Sequence, residues 1–452
     1  MKFGLRIHWG IYSIYGRPGE SWPFLALPFE ERQQYNHAYQ SWNPQEFDAD
    51  AWMNLCQESG MKMFAFTSKH HEGFSMFDTK TRVRNRAKWT AAGGPRMEEC
   101  DLAYSIMETP FRRDVVRELT DAAHKRNIKI DLYFSHSDWY DADFRPYGWH
   151  PLQVRSSPQL WGWRPSDGTT QEFWDRMKKR MADRLVVVPD PTAQEVRRMV
   201  QRHRMQLTEL LSNYGIIDMM CLDIFWGPSV WTQMRETILK IRELQPDVML
   251  RARGIGNYGD YFTPEGFVPQ SKEATKMPWF VIYPLGRSFS FESDASKYKG
   301  TQWIVRNLVD VAAKGGNFMV GVGPNAAGSF HPTAVDQLRG AGQWLKVNGE
   351  GIYGTRPRPG TAWAEGDNIR FTCSKDNNLL YCFATEWPGK ELQITSLDAR
   401  PVRSVQMLDY PGTLKFRRGE TRNLVISIPE ELQDASNRRS QFAWGFKLSY
   451  IA

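Results

Sequence analysis

One stretch decides the fold: residues 63–74, with the sequence MFAFTSKHHEGF. Its apolar first half is typical of a strand that is buried on both faces, as strands of parallel sheets are. Polar residues follow directly where that strand ends. In α/β barrels such residues form the active site, because the carboxyl ends of the strands meet at one face. The stretch therefore predicts one barrel strand with a ligand site at its end.

Three histidines follow predicted strands. His70 and His71 belong to this stretch, and His8 ends another largely apolar run, residues 3–7. Imidazole nitrogens form directional hydrogen bonds, which suits a ligand rich in hydroxyl groups. A metal site is a weaker interpretation, because adjacent side chains on an extended strand point to opposite faces. Histidines that are merely buried are the third interpretation. We predict a hydroxyl-rich ligand, no metal and no cofactor.

Buried runs alternate with helical patterns over residues 1–355. This order predicts a parallel sheet with right-handed crossovers, closed as a (β/α)8-like barrel. Short alternating stretches over residues 356–452 predict a C-terminal all-β sandwich domain. The predicted barrel strands are residues 3–8, 63–67, 128–134, 216–223, 248–251, 280–283 and 317–322. The predicted helices are residues 48–59, 113–125, 199–213 and 232–244.

Two segments, at about 82–110 and 140–195, look inserted into the barrel. They are rich in Trp, Arg, Pro and Gly and lack clean periodicity, so we predict long functional loops. Basic side chains crowd at 82–88 and 197–204. They form either a solvated surface or an attraction for an anionic substrate.

Composition narrows the partners and the compartment. The chain has 452 residues, a net charge of +7 and five cysteines. The cysteines form no CxxC pair, which argues against a disulfide scaffold and a structural zinc site. No nucleic-acid motif and no membrane-spanning stretch is present, so neither partner is expected. We expect a periplasmic or extracellular protein whose signal peptide is absent from this chain, or else a cytoplasmic one. Nothing in the sequence predicts the oligomeric state.

Two carboxylates are the catalytic candidates. Asp223 ends the run 216–223 and precedes Trp226, a desolvated and aromatic setting that suits a nucleophile or general base. A helix cap is the structural alternative. Asp218 begins the same run, on the face that serves stability, and is the weaker candidate. Glu265 lies in a loop framed by Pro and Gly. Glycoside hydrolysis uses two carboxyl groups, one to protonate the leaving oxygen and one to attack the anomeric carbon.

Six motifs occur in a fixed order along the chain. They are His8-Trp9-Gly10, Lys69–Phe74, Arg113-Asp114, Asp223–Gly227, Thr263–Glu265 and Lys314–Pro324. Together with residues 344–355 they resemble the α-L-fucosidases of glycoside hydrolase family 29. The resemblance covers about residues 1–360, apart from the two insertions. It implies a retaining, exo-acting hydrolase that removes α-L-fucose from fucosylated glycans through a covalent glycosyl-enzyme.

The resemblance also implies residue roles. Asp223 matches the nucleophile, and Arg253 matches a basic residue near the sugar. Glu265 matches one known position of the acid/base residue. In other members this residue follows a Trp on a later strand, where this chain has Phe280, which donates no proton; Glu292 is then the second candidate. The residues that match sugar-binding positions are His8, His70, His71, Glu20 and Trp22.

Some features leave alternatives open. Trp226, Phe289 or Phe291 are candidates for an apolar contact with the fucose methyl group, with plain core packing as the alternative. The insertions are expected to shape the leaving-group side, where their arginines favour a charged or sulfated group. Their tryptophans are Trp89, Trp149, Trp161 and Trp163. Two other functions compete: hydrolysis of a related sugar such as an α-L-galactoside, and a carbohydrate-binding protein that has lost its acid/base.

Overall fold

The barrel part of the chain contains eleven strands in the residues that the structure describes. A computed structural model of the protein describes residues 1–145, 147–154, 175, 186–224, 226, 228–269, 277–359, 363–419 and 423–451. Its strands up to residue 350 are β1 (Phe3–Ile7), β2 (Met63–Lys69), β3 (Val83–Lys88), β4 (Arg96–Leu102), β5 (Lys129–Ser135), β6 (Leu152–Val154), β7 (Val186–Val188), β8 (Met219–Asp223), β9 (Met249–Leu250), β10 (Phe280–Pro284) and β11 (Asn317–Val322). Seven of them form one parallel sheet in the order β10-β11-β1-β2-β5-β8-β9.

Residues 261–265 close this sheet into a barrel. Beyond β9, Arg251 pairs in parallel with Tyr261, while Phe262 pairs with Trp279 and Glu265 with Ile282 of β10. These single bridges stand in the place of an eighth strand. The predicted (β/α)8-like fold is therefore confirmed, and all seven predicted strands belong to it.

Seven helices surround the sheet in the described residues. They are α1 (Phe29–His37), α2 (Ala49–Glu58), α3 (Val115–Lys125), α4 (Ala193–Asn213), α5 (Trp231–Leu244), α6 (Thr301–Ala313) and α7 (Pro332–Asn348). The four predicted helices are α2 to α5. Helix α4 begins six residues before the predicted start, at 193 rather than 199. Thr192 and Glu195 form a capping box there, which satisfies the first free N–H groups of the helix.

The barrel interior is apolar near the amino ends of the strands. A cluster of inward side chains from several strands fills it: Met63, Ala65, Met219, Tyr261, Phe280, Ile282 and Met319. Phe280 belongs to this cluster because it is the first residue of β10. Its ring therefore lies near the amino end of the strand. The polar side chains of the candidate site lie at the opposite, carboxyl ends of the strands.

The insertion at 82–110 is not an irregular loop, so that prediction is wrong. Strands β3 and β4 pair as an antiparallel hairpin. Asp101 and Glu98 lie on β4 and form ion pairs with the basic residues of the hairpin, which are Arg82, Arg84, Arg86 and Lys88. The alternating charges are thus one face of a strand pair, neutralised across the hairpin.

The insertion at 140–195 is described only in part. Strands β6 and β7 pair in parallel, and Trp149 is buried close by. Trp161 and Trp163 lie outside the described residues. Trp89, from the other insertion, is buried against Phe24, Phe29 and the guanidinium of Arg32. It packs in the core there.

Antiparallel strands follow the barrel. They are β12 (Thr355–Pro357), β13 (Ala364–Glu365), β14 (Ile369–Ser374), β15 (Leu379–Ala384), β16 (Glu391–Ile394), β17 (Val402–Met407), β18 (Phe416–Arg418), β19 (Leu424–Ser427) and β20 (Trp444–Tyr450). One sheet has the order β12-β14-β15-β20-β17 with β13 on β14, and the other has the order β16-β19-β18. Both contribute to one apolar core, as in a sandwich, which confirms the predicted β domain.

No helix in the described part of the chain is both long enough and apolar enough to cross a bilayer.

Candidate active site

Asp223, the last residue of β8, occupies the centre of the pocket. Its Oδ2 accepts a hydrogen bond of 2.8 Å from the hydroxyl of Tyr133 on β5. Its Oδ1 lies 3.5 Å from Nη1 of Arg251 and 3.7 Å from Nη1 of Arg253. Burial raises the pKa of Asp223, but the charges of Arg251 and Arg253 outweigh burial and hold that pKa well below its usual range. The carboxylate is therefore ionised, as a nucleophile must be.

Glu265 lies beside Asp223 because Arg253 contacts both. Nη1 of Arg253 is 3.0 Å from Oε2 of Glu265, and its Nη2 donates to the carbonyl of Thr263 at 3.2 Å. Glu265 is about two-fifths exposed, with a side-chain exposure of 42%, while the Asp223 side chain is buried. One guanidinium thus links a buried and an accessible carboxyl group.

His70 and His71 lie just beyond β2 rather than on it. Because the strand ends at Lys69, the two rings are not on opposite faces, and their centroids are 4.2 Å apart. The expectation of opposite faces is therefore wrong. A hydrogen bond of 2.5 Å joins Nδ1 of His70 to Ser21, and one of 2.7 Å joins Nδ1 of His71 to Ser135. Both imidazoles are fixed through Nδ1, which leaves their Nε2 atoms to meet a ligand.

His8 follows β1 and completes the histidine cluster. Its ring stacks on Phe289 with centroids 4.7 Å apart and lies 6.1 Å from the ring of His70. Nδ1 of His8 is buried and has no hydrogen-bond partner among the described residues.

All three imidazoles are neutral near pH 7. Burial lowers the pKa of His71 to about 4, although the charge of Asp223 opposes this shift. Burial likewise holds the pKa values of His8 and His70 well below their usual range. A neutral imidazole has one donor and one acceptor nitrogen, which suits hydroxyl groups. The described residues contain no group of three or more metal-ligating side chains.

Glu20 and Trp22 line the same pocket. The ring of Trp22 lies 4.9 Å from that of His71, edge to face. Oε1 of Glu20 accepts from Ser290 at 3.2 Å, and the same hydroxyl accepts from the peptide N–H of Glu20 at 2.8 Å. Burial raises the pKa of Glu20 to about 7, aided by the charge of Glu265. The structure thus brings both predicted residues to the site.

A buried network of ion pairs lies next to the histidines in the chain, because Lys69 directly precedes His70. Nζ of Lys69 lies 3.7 Å from Asp138, which also pairs with Arg202. Glu72 is buried beside His70, with Oε2 at 3.7 Å from its Nδ1. Burial raises the pKa of Glu72 to about 8, so this carboxyl group is protonated at neutral pH.

Three predicted residues make contacts with groups other than the three histidines and the carboxylate of Asp223. Trp226 donates through Nε1 to the carbonyl of His136, and its ring packs on His136, His203, Phe144 and Tyr147. Glu292 is held by Arg287 through hydrogen bonds of 2.6 and 2.9 Å, which lower its pKa. Glu265 shares the guanidinium of Arg253 with Asp223, whereas Glu292 pairs with Arg287, so Glu265 is the better placed of the two for the acid role. Phe291 faces His331, with ring centroids 6.2 Å apart.

Sequence reasoning missed several residues that position the site. Tyr133 and Ser135 alternate on β5 and contact Asp223 and His71. Their period of two on a strand was the available signal. Arg251 escaped notice although it stands two residues before Arg253, on the same side of the chain. Ser21 lies between the two predicted pocket residues 20 and 22.

Comparisons with known proteins find similarity along the barrel and the β domain. The family profile described as Alpha-L-fucosidase matches residues 1–350, and the profile described as Alpha-L-fucosidase C-terminal domain matches residues 365–449. The chain belongs to the α-L-fucosidase family. The tissue alpha-L-fucosidase of Homo sapiens is 26% identical over 473 residues, covering 100% of this chain and 88% of the relative. The alpha-L-fucosidase of Dictyostelium discoideum is 26% identical over 460 residues, covering 95% and 85%.

Solved structures of α-L-fucosidases share the fold. Isoenzyme 1 from Paenibacillus thiaminolyticus superposes with a TM-score of 0.76 at 26% identity, covering 100% of this chain and 97% of that one. A family 29 enzyme from Bacteroides thetaiotaomicron superposes with a TM-score of 0.74 at 21% identity, covering 100% and 93%. The likeness spans the barrel and the β domain together.

Proposed function

We propose that this member of the α-L-fucosidase family removes terminal α-L-fucose from glycans with retention of configuration. One observation carries the proposal: the ionised carboxylate of Asp223 ends a central barrel strand and shares the guanidinium of Arg253 with Glu265. Retaining glycosidases need such a pair about 5–5.5 Å apart, and a single bridging nitrogen is compatible with that spacing. A Bacteroides thetaiotaomicron relative has been captured as a covalent intermediate with 2-fluoro-fucosyl fluoride.

The reaction would run in two displacements. Asp223 attacks the anomeric carbon while Glu265 protonates the departing oxygen, so the carbon–oxygen bond to the aglycone breaks as the ester forms. Water then attacks the same carbon, Glu265 takes its proton, and the bonding electrons return to the Asp223 carboxylate. The exposure of Glu265 suits this exchange of protons with solvent, and the burial of Asp223 suits attack without competing hydration.

The histidine cluster would bind the sugar. Neutral His8, His70 and His71 offer both donors and acceptors to ring hydroxyls. Phe289 lies against His8 and offers an apolar surface to the methyl group of fucose. An α-L-galactoside carries a hydroxyl at that methyl position, which would have to be desolvated against the phenyl ring. We therefore favour fucose over galactose in this site.

The leaving group is a finer question. The sequence prediction of a charged or sulfated group rests on the arginines of the insertions. In the described residues, those at 82, 84 and 86 already pair with carboxylates of the same hairpin. We therefore expect neutral fucosylated glycans to be the better substrates. Comparing kcat/KM for a sulfated and a neutral fucoside tests this expectation.

The expected location is periplasmic or extracellular. Fractionation of the producing cells tests it.

The experiment for the proposed function is hydrolysis of an aryl α-L-fucoside by wild type, Asp223→Ala and Glu265→Ala. Both variants should lose activity, and azide should restore turnover of the Glu265 variant with an activated leaving group. Asp218→Asn is the matched control, because Asp218 lies near the other end of β8 and pairs with Lys129. Its activity should stay within about threefold of wild type. A pure carbohydrate-binding protein would show no turnover in any form.

A further inference from the structure

A layer of polar and ionisable side chains lies in the barrel interior directly below the nucleophile. It consists of Arg6 from β1, Asp131 from β5, Cys221 from β8 and Arg251 after β9, and all four are buried. Barrel interiors are normally filled by branched apolar residues, so buried guanidinium groups here need a reason.

Arg251 is held in place from one side and faces Asp223 on the other. Its Nη1 donates to Sγ of Cys221 at 2.9 Å and lies 3.5 Å from Oδ1 of Asp223. Among the described residues, Asp223 is the only carboxylate that forms an ion pair with Arg251. Arg253 differs, because it also pairs with Glu265 at 3.0 Å. Asp223 is thus the carboxylate that Arg251 pairs with directly, while Asp131 and Glu265 act on Arg251 only from a longer distance.

The charge of Asp223 disappears during the reaction. When Asp223 forms an ester with the sugar, its negative charge is lost and Arg251 is left without a paired carboxylate. The loss matters because both groups are buried, where charges interact more strongly than in water. The neighbouring thiol of Cys221 offers no replacement, since burial raises its pKa and keeps it neutral.

We propose that Arg251 acts mainly in the second displacement, where it stabilises the carboxylate of Asp223 as it leaves the sugar. Water forms its bond to the anomeric carbon, the bond from that carbon to Asp223 breaks, and the electron pair returns to the carboxylate. Arg251 therefore destabilises the fucosyl-enzyme relative to the free enzyme and speeds its hydrolysis. Cys221 is the positioning residue that holds the guanidinium.

Loss of the Arg251 guanidinium should affect the two half-reactions differently. In the first displacement the carboxylate loses charge, so Arg251 stabilises the starting state at least as well as the transition state. In the second displacement the carboxylate regains charge, so Arg251 favours the transition state. Removing the guanidinium should slow deglycosylation about tenfold or more and leave kcat/KM, which reports glycosylation, within about threefold.

The test rests on the proposed function and uses the full chain. Wild type, Arg251→Met and Arg251→Lys are inactivated with 2-fluoro-fucosyl fluoride, excess reagent is removed, and recovery of activity is timed. Recovery should be slowest for Arg251→Met and intermediate for Arg251→Lys, which keeps the charge. Arg358→Met is the control, because this buried arginine belongs to the β domain and donates to Ser396 at 2.8 Å. It should recover within about threefold of wild type.

Equal recovery rates for wild type and Arg251→Met, or kcat/KM falling as far as the recovery rate, would overturn the inference. If Arg251→Met does not fold, Arg251→Lys decides: slowed recovery with unchanged kcat/KM supports the role, and unchanged recovery refutes it. Failure of the proposed function looks different. In that case wild type would not hydrolyse the aryl fucoside, or Asp223→Ala would keep its activity.

Discussion

Replacing Glu72 by Gln should make the protein progressively more stable than wild type as the pH rises from about 4 to about 8, and should change little below that range. Glu72 is buried beside Ser21 and His70, and burial raises the pKa of its carboxyl group to about 8. Near pH 6 the wild-type side chain is a neutral acid. Gln has nearly the same shape and no charge, so it resembles that protonated form.

The magnitude follows from proton linkage. An ordinary Glu in the unfolded chain releases its proton near pH 4.3, whereas folded Glu72 keeps it until about pH 8. Between these values the folded state binds more protons than the unfolded state, so stability falls as pH rises. The loss approaches about 5 kcal/mol above pH 8, as an upper figure. The Gln variant lacks this titration and should keep the stability that wild type loses.

The assay is the thermal unfolding midpoint of both proteins at about pH 4 and about pH 9. The midpoints should nearly coincide at the lower pH, and the variant should unfold at a clearly higher temperature at the upper pH. Glu30→Gln, the same chemical change on the exposed side of α1, is the control and should show no such divergence. A Glu72→Gln protein that runs parallel to wild type across the whole range would refute the reasoning.

Three further perturbations test single contacts. Tyr133→Phe removes the hydrogen bond to the nucleophile, worth about 1.5–3 kcal/mol, so kcat on an aryl fucoside should fall about ten- to hundredfold. Ser135→Ala frees His71, and inhibition by fucose should weaken about fivefold in steady-state assays. Gly73→Ala, at φ +90°, would place its Cβ 2.0 Å from a network carboxylate and should lower the unfolding midpoint more than Gly93→Ala, at φ +82° with open space.

The barrel was predictable because its strands are short apolar runs, and the strand ends carry the polar residues. The element in the eighth strand position was not predictable, because residues 261–265 join the sheet through single bridges and show no strand pattern. The hairpin was missed for a different reason: residues 83–88 alternate charged and smaller side chains, and that period of two was interpreted as a charge run.

The site was predictable where a residue follows a strand end, as Asp223 and His70 do. Contacts across the barrel were not predictable, because their partners come from distant parts of the chain. Tyr133 reaches Asp223 from 90 residues away in sequence. Arg251 and Cys221 are 30 residues apart. Such pairs become visible only when the sheet order and register place two strands side by side.

The central claim is that Asp223 carries the sugar during turnover. The most direct measurement is peptide mapping by mass spectrometry after inactivation of wild type with 2-fluoro-fucosyl fluoride. We expect one 2-deoxy-2-fluorofucosyl group on the peptide that contains Asp223, and none on the Asp223→Asn protein. An adduct on another residue, or hydrolysis that inverts the anomeric configuration without any adduct, would contradict it.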